Sequence, residues 1–294
     1  MSVDLGRVGV WTFAFDGRPA TEVREAAAEL DELGYGAIWF GEAFGREAFT
    51  QAALLLGATG RLTVATGIAN IFLRDPIAMA AGERALAEAF PGRFLLGLGG
   101  HRTTDQPPGL LPHHGRPVPT MRAYLDAMDQ APLQGPAPAE PLPRLLAALG
   151  PGMLKLAAER TRGAHPYFVP VEHTARARQA LGPDALLAVE QTVVLDRPER
   201  AREVARGFVS GYGQARHQVE NLRRLGFGDD DLAEGGSDRL VDALVAYGDV
   251  EDVVRRVREQ LDAGADHVCV QVLSAEEGLP LRQWRELAPA LLEL

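Results

Sequence analysis

The strongest constraint on this chain is an alternation: an apolar strand, a short turn and an amphipathic helix, repeated along all 294 residues. Strand patterns fall at residues 8–13, 37–40, 61–68, 94–98, 145–149, 164–169, 186–195 and 267–272, and helical spacing fills the longer intervals. The strands are unbroken apolar or β-branched runs, as in Thr63-Val64-Ala65-Thr66. Parallel strands covered on both faces read this way. Eight parallel strands joined by helices close into a (β/α)8 TIM barrel, and barrels of about 250 residues or more fold as single units. The expectation is an α/β protein with one domain over 1–294.

The best-defined unit runs over residues 144–169. Leu145-Leu146-Ala147-Ala148-Leu149 is too short for an ordinary helix and stops at Gly150-Pro151-Gly152, after which Met153, Leu156, Ala157 and Arg160 recur at helical spacing. Pro151 suits the first helical position, which makes Gly150 the N-cap. A helix start presents free N–H groups, and glycines let a phosphate approach them closely. The alternative is a plain chain turn. Elsewhere Thr21, Asp75 and Asp249 read as N-caps, and Gly34 and Gly264 as helix ends.

Two stretches depart from the alternation. Residues 101–119, rich in proline, histidine and glycine, are long for a loop and read as a lid. Over 197–248 the helical pattern continues without a strand, which reads as a helical insertion before the last strand, forming a pocket wall or a dimer surface.

Composition removes several classes of function. A net charge of −10 with no Lys/Arg block argues against nucleic acid or an anionic membrane as partner. No apolar run reaches the roughly 18 residues of a membrane span, and the opening residues carry no basic-then-apolar leader, so the expected location is the cytoplasm. Cys269 lies in an apolar strand and reads as a packed thiol. Lys155 is the only lysine and falls on a helix outside the barrel, which disfavours Schiff-base chemistry. His113-His114 lacks partners at ligand spacing, and no His-x-His pair follows strand one, so no metal site is expected.

Chemistry in such barrels gathers at the C-terminal ends of the strands. Glu42 follows strand two, with a solvated loop glutamate as its alternative reading. Gly67 interrupts strand three, as at a bulge or a close backbone approach. Strand four exits through Gly99-Gly100-His101-Arg102, leaving room for a flat ring or a phosphate, yet it lacks the later glycine of a dinucleotide fingerprint. Glu190, Gln191 and Thr192 sit in an otherwise apolar strand seven and must find partners, at the barrel mouth or in one another.

These motifs resemble the luciferase-like monooxygenase superfamily, in particular its actinobacterial branch of coenzyme F420-dependent oxidoreductases. The resemblance rests on Tyr35-Gly36-Ala37-Ile38-Trp39-Phe40-Gly41-Glu42, Thr66-Gly67-Ile68, Gly92-Arg93-Phe94-Leu95-Leu96-Gly97-Leu98-Gly99, the Ala148-Leu149-Gly150-Pro151 turn, and Ala263-Gly264-Ala265-Asp266-His267-Val268. It implies a flavin-like ring across the barrel mouth, resting on a bulge, often with a non-prolyl cis peptide, at Gly67-Ile68. The implied cofactor contacts are Trp11, Gly67, Ile68, Ala69, Asn70, Gly99, Gly100, Leu149, Gly150, Pro151, Gly152 and Met153. Many F420-dependent members carry Asp-His after strand two; this chain has Glu42-Ala43 instead. The expected proton-transfer groups are therefore Glu42 and His101. The resemblance implies hydride exchange between F420 and a small-molecule substrate in a homodimer. An FMN-dependent monooxygenase is the alternative, and a cofactor-free binding paralogue the second.

Overall fold

A computed structural model describes residues 3–100, 116–140, 142–233 and 235–294. Its elements run β1 (Val8–Trp11), α1 (Ala20–Leu33), β2 (Ala37–Phe40), α2 (Ala48–Leu56), β3 (Thr63–Thr66), β4 (Ala69–Asn70), α3 (Pro76–Ala89), β5 (Phe94–Gly99) and α4 (Pro117–Asp129). Then follow β6 (Arg144–Leu146), α5 (Pro151–Arg160), β7 (Gly163–Ala164), α6 (Val171–Leu181), β8 (Leu186–Leu195), α7 (Pro198–Tyr212), α8 (Arg216–Arg224), α9 (Asp229–Leu232) and α10 (Asp238–Leu244). β9 (Val245–Gly248), α11 (Val250–Asp262), β10 (His267–Val272) and α12 (Leu281–Leu291) complete the chain.

Every strand pairing is parallel. The ring β1-β2-β3-β5-β6-β7-β8-β10 closes where β10 pairs with both β8 and β1, which is the expected (β/α)8 barrel. Alternation along each strand divides the core into two shells. Trp11, Ala37, Trp39, Ala65, Leu95, Leu145, Ala188 and Cys269 fill the barrel interior. Val10, Ile38, Val64, Leu96, Leu146, Val189 and Val268 point outward against the helices. Parallel strands with both faces covered have no polar face, and that is why their sequences read as unbroken apolar runs.

Helix signals mostly correspond to real caps. Asp75 accepts from Ile77 N at 2.8 Å, and Asp249 and Asp252 form a reciprocal capping box at the start of α11. Gly34, at φ 97°, closes α1 in the left-handed region. Thr21 does not cap: α1 starts one residue earlier, after Pro19, with no side-chain cap. Helix α2, between β2 and β3, was not anticipated; its AFTQAALLL sequence carries little periodic contrast.

Three further expectations are corrected. Residues 117–119 belong to α4, which opens on Pro117, because proline fits a first helical turn as well as a loop. Residues 101–115, with His101, His113 and His114, lie outside the described residues. The sixth barrel strand is only Gly163–Ala164 rather than 164–169, since Pro166 lacks the N–H that a longer ladder needs. Among its described residues the stretch 197–248 holds four helices but ends in a strand, β9, which pairs with Thr192 to Leu195 of β8. Val245-Ala246-Tyr247 is too short to stand out from the helical pattern before it. Phe168, Val194, Val209, Leu222, Leu240 and Val245 form a separate apolar cluster joining these helices to the barrel. Among the described residues no helix is long and apolar enough to cross a membrane.

Candidate active site

The C-terminal mouth has two unlike halves. Gly41, Gly67, Gly99 and Ala147, at the ends of β2, β3, β5 and β6, present almost no side chain. Trp11, Tyr167, Thr192 and Gln271 form the other half. Trp11, Gln271 and Thr192 share one rung of the ladder, and Tyr167 donates its hydroxyl to Gln271 Oε1 at 2.8 Å. The Trp11 and Tyr167 rings lie 4.9 Å apart.

Between β3 and β4 the Gly67–Ile68 peptide is cis. Its ends are fixed by Gly67 N donating to Phe40 O at 2.7 Å and Glu42 N donating to Ile68 O at 3.0 Å. Gly67 is required by close approach: a Cβ there would stand 2.6 Å from Trp11 Nε1 and 2.7 Å from His165 Nε2. Both rings are fully buried, so neither can withdraw. Gly67→Ala is expected to cost about 1–3 kcal/mol by overpacking, read as a lower denaturation midpoint. Gly99 is equally tight, a Cβ falling 2.6 Å from Ile68 and 3.0 Å from Ala147.

Two buried polar atoms converge on Gly67 without partners among the described residues: Trp11 Nε1 and His165 Nε2. His165 donates from Nδ1 to Ala188 O at 2.9 Å, so Nε2 carries a free lone pair. Its ring stacks on Trp39, whose Nε1 donates to His267 Nε2 at 3.0 Å, while His267 Nδ1 donates to Gly6 O. Burial holds both histidines at a pKa of about 4, so they are neutral at physiological pH. The sequence marked neither as a site residue, although His165 lies next to Ala164 at a strand end.

Glu42 is only 8% exposed. Its Oε1 accepts from Ala48 N at 3.0 Å and from Arg74 Nη2, and its Oε2 accepts from Asn70 N and from Arg74 Nη1, both at 2.8 Å. Four donors occupy the four lone-pair directions of a carboxylate. Instead of facing a reactant, the group ties the loop after β2 to α2, β4 and the loop carrying Arg74. Arg74 was not singled out in the sequence; its position beside the Asp75 cap gave it the look of an ordinary loop cation.

The turn after β6 is built as its sequence suggested. Gly150 is the N-cap of α5, Pro151 is its first residue, and among the described residues no side chain caps the helix. The helix start lies at the C-terminal rim, next to the exits of β5 and β7. A Cβ on Gly150 would stand 3.5 Å from Arg224 Nη2, which brings a cation from α8 over the turn. His173 donates from Nε2 to Leu149 O at 2.9 Å, and burial, with the charges of Arg224 and Arg176, lowers its pKa below the ordinary histidine value. Leu149 and Met153 pack on the outer core. Arg224 and His173 lie 74 and 23 residues from Gly150, and no local pattern connects them to it.

Known proteins resemble this chain in sequence and in fold. A Mycobacterium tuberculosis protein named a coenzyme F420-dependent oxidoreductase is 25% identical, over 92% of this chain and 95% of its own. A solved F420-dependent secondary alcohol dehydrogenase, in complex with an F420-acetone adduct, superposes with a TM-score of 0.75 at 15% identity, covering 99% of both chains. The FMN-bound oxygenating constituent of 3,6-diketocamphane monooxygenase from Pseudomonas putida gives 0.66 at 15% identity, covering 97% of this chain and 98% of its own. At such identities the solved structures speak for the fold alone. The model of the luciferase-like monooxygenase family matches residues 6–267, nearly the whole barrel, and the chain belongs to that family.

Proposed function

We propose that this protein exchanges a hydride between coenzyme F420 and a small organic substrate at the C-terminal mouth of the barrel. Membership of the family makes the chain an oxidoreductase. One observation carries the choice of site: an uncapped, glycine-flanked helix start with Arg224 above it stands on the same rim as a half-mouth of Gly41, Gly67, Gly99 and Ala147. A flat ring with an anionic tail fits that pairing of bare floor and positive rim.

When bound, the deazaflavin supplies hydride chemistry; the chain supplies binding, orientation and exclusion of water. Gly67, Ile68, Ala69, Asn70, Gly99 and Gly100 form the floor on this reading. Residues 149–153, with Arg224, hold the anionic tail, and Trp11 with Tyr167 bounds the ring's other edge. Glu42 positions the floor through Arg74 and Asn70. The orphaned Trp11 Nε1 and His165 Nε2, buried beneath Gly67, show where polar capacity remains at that floor. FMN is the second reading, favoured by the family's monooxygenase character and by the FMN-bound structural neighbour.

Side-by-side titration of the protein with F420 and FMN, followed by quenching of tryptophan fluorescence, tests both. Tight F420 binding with weak FMN binding is expected, and the reverse order overturns the choice of cofactor. Gly150→Glu places a carboxylate at the helix start and against Arg224. It is expected to weaken binding by about 30-fold, the worth of one charge-assisted hydrogen bond. Unchanged affinity in a folded variant would move the tail elsewhere.

A further inference from the structure

One carboxyl group in the barrel interior has no part in the reading above. Glu190 points inward from β8 and is 1% exposed. Its Oε1 accepts from Thr192 Oγ1 at 2.7 Å and its Oε2 from Phe168 N at 3.0 Å. Among the described residues no arginine, lysine or histidine bonds to it. The titratable groups that face it are Tyr167 from the loop after β7, Tyr212 from α7 and Cys269 from β10. Burial raises the pKa of all three, so each is uncharged at neutral pH and none can stabilise an anion as a cation would. A buried carboxylate with two neutral donors and no counter-ion is costly, whereas the protonated acid is not. Burial accordingly pushes Glu190 up to about 7, against the smaller opposing pull of the Thr192 and Phe168 hydrogen bonds.

The neighbours give this acid a route outward. Thr192 is the next inward residue on the same strand and lies on the mouth rung with Gln271 and Trp11. Phe168, whose N–H binds Glu190, has a φ of 58° in the left-handed region, a conformation rare for a bulky residue. That turn presents Tyr167 to the mouth, packed on Trp11 and bonded to Gln271. A carboxyl, a hydroxyl and a phenol are thus gathered on one side of the opening, across from the glycine half.

We propose that Glu190 is the proton store of this enzyme, acting through the Thr192 hydroxyl as a positioning residue for the proton that accompanies hydride transfer. The proposal rests on the reading of the mouth as a hydride-transfer site. Hydride arrival at a substrate carbon breaks the π bond and leaves an electron pair on the neighbouring heteroatom. With Glu190 protonated on Oε1, the 2.7 Å bond runs from the acid to Thr192 Oγ1 and the hydroxyl proton turns to the mouth; Thr192 gives that proton to the heteroatom and takes the Glu190 proton in return. Glu190 is left as a carboxylate, to be reprotonated from solvent. In the oxidation direction the substrate hydroxyl proton travels the same path to a Glu190 carboxylate.

Carbon-13 NMR of protein labelled at the glutamate side-chain carboxyl reads this without turnover. One resonance is expected to titrate near neutrality, to vanish in Glu190→Gln, to move to a higher midpoint in Thr192→Val and to return in Thr192→Ser. Saturating F420 is expected to shift its midpoint, since the ring would stand over the mouth rung. A Glu190 that remains ionised down to about pH 5, or whose midpoint ignores bound F420, overturns the proton store while leaving the cofactor reading intact. Absence of F420 and FMN binding, with the titration unchanged, overturns the site reading and the store with it. Should Glu190→Gln not fold, the Thr192 pair gives the same decision.

Discussion

Arg74→Ala is expected to lower stability by about 3–5 kcal/mol, the cost of leaving a buried carboxylate without its cation. Within the pair, the side chains of Arg74 and Glu42 are 10% and 3% exposed, so solvent cannot replace the missing partner. Arg74 also reaches Glu47 Oε1 at 2.8 Å and lies over the Phe49 ring at 5.2 Å, and alanine can make neither interaction. Urea unfolding at neutral pH measures the loss. Removing both charges, as in Glu42→Gln with Arg74→Met, is expected to recover most of it, because the expensive species is the unpaired ion. A deficit below about 1 kcal/mol in Arg74→Ala would place the pair among solvated surface bridges. Glu42 would then be free for the proton transfer first expected of it.

The effect should reach beyond stability. Glu42 holds Asn70 N in β4 and Ala48 N at the start of α2, and its own N–H donates to Ile68 O. These contacts brace both sides of the cis Gly67–Ile68 floor. A variant that folds without them is expected to bind F420 more weakly even though residue 74 need not touch the ring.

The barrel was legible because its signal is repeated and local. Most strands of the ring are apolar runs with a turn behind them, and closure of eight follows from counting the units. What escaped was contrast at short range. Helix α2 is apolar on most sides, β9 follows a helix without a break, and Pro117 opens a helix where proline also suits a loop. At the site, glycines were visible because a missing side chain shows in one dimension. Gly67 and Gly150 could be marked from the turns they interrupt.

Partners that meet across the barrel could not be marked in that way. His165 and Trp11 converge on Gly67 from positions more than 150 residues apart in the chain. Arg224 reaches Gly150 from a helix whose own pattern says only that it is amphipathic. Glu42 was visible as a carboxylate at a strand end. Its four donors were not, since Ala48 N and Asn70 N are backbone groups that carry no sequence identity. The strand-seven triplet falls between these cases. Its need for partners was evident, while period-two geometry divides it: Glu190 and Thr192 turn inward to each other, and Gln191 turns outward to Gln260 Nε2 at 2.9 Å.

Acid is expected to unfold this barrel through its interior histidines. His165 and His267 are held at about 4 in the folded chain by burial, against an ordinary value of 6.5. Between those values the unfolded chain takes up two protons that the folded chain refuses, so stability falls as pH drops from 6.5 towards 4. At 1.36 kcal/mol per pKa unit, each contributes about 3 kcal/mol over the full window. Glu190 works in the opposite sense. With its folded value raised to about 7 from 4.5, it favours the folded state below 4.5, and that support is lost as pH rises through 7. Denaturant unfolding at pH 6.5 and 4.5 therefore gives a net decline for the native chain. Glu190→Gln should steepen it by about 2 kcal/mol, the part of its window that lies between these two pH values, and His165→Asn, which keeps a donor towards Ala188 O, should make it shallower by a similar amount. Parallel declines in all three proteins would mean that water reaches the barrel interior and hydrates these groups. A wet interior would also remove the physical reason for Glu190 to keep its proton at neutral pH.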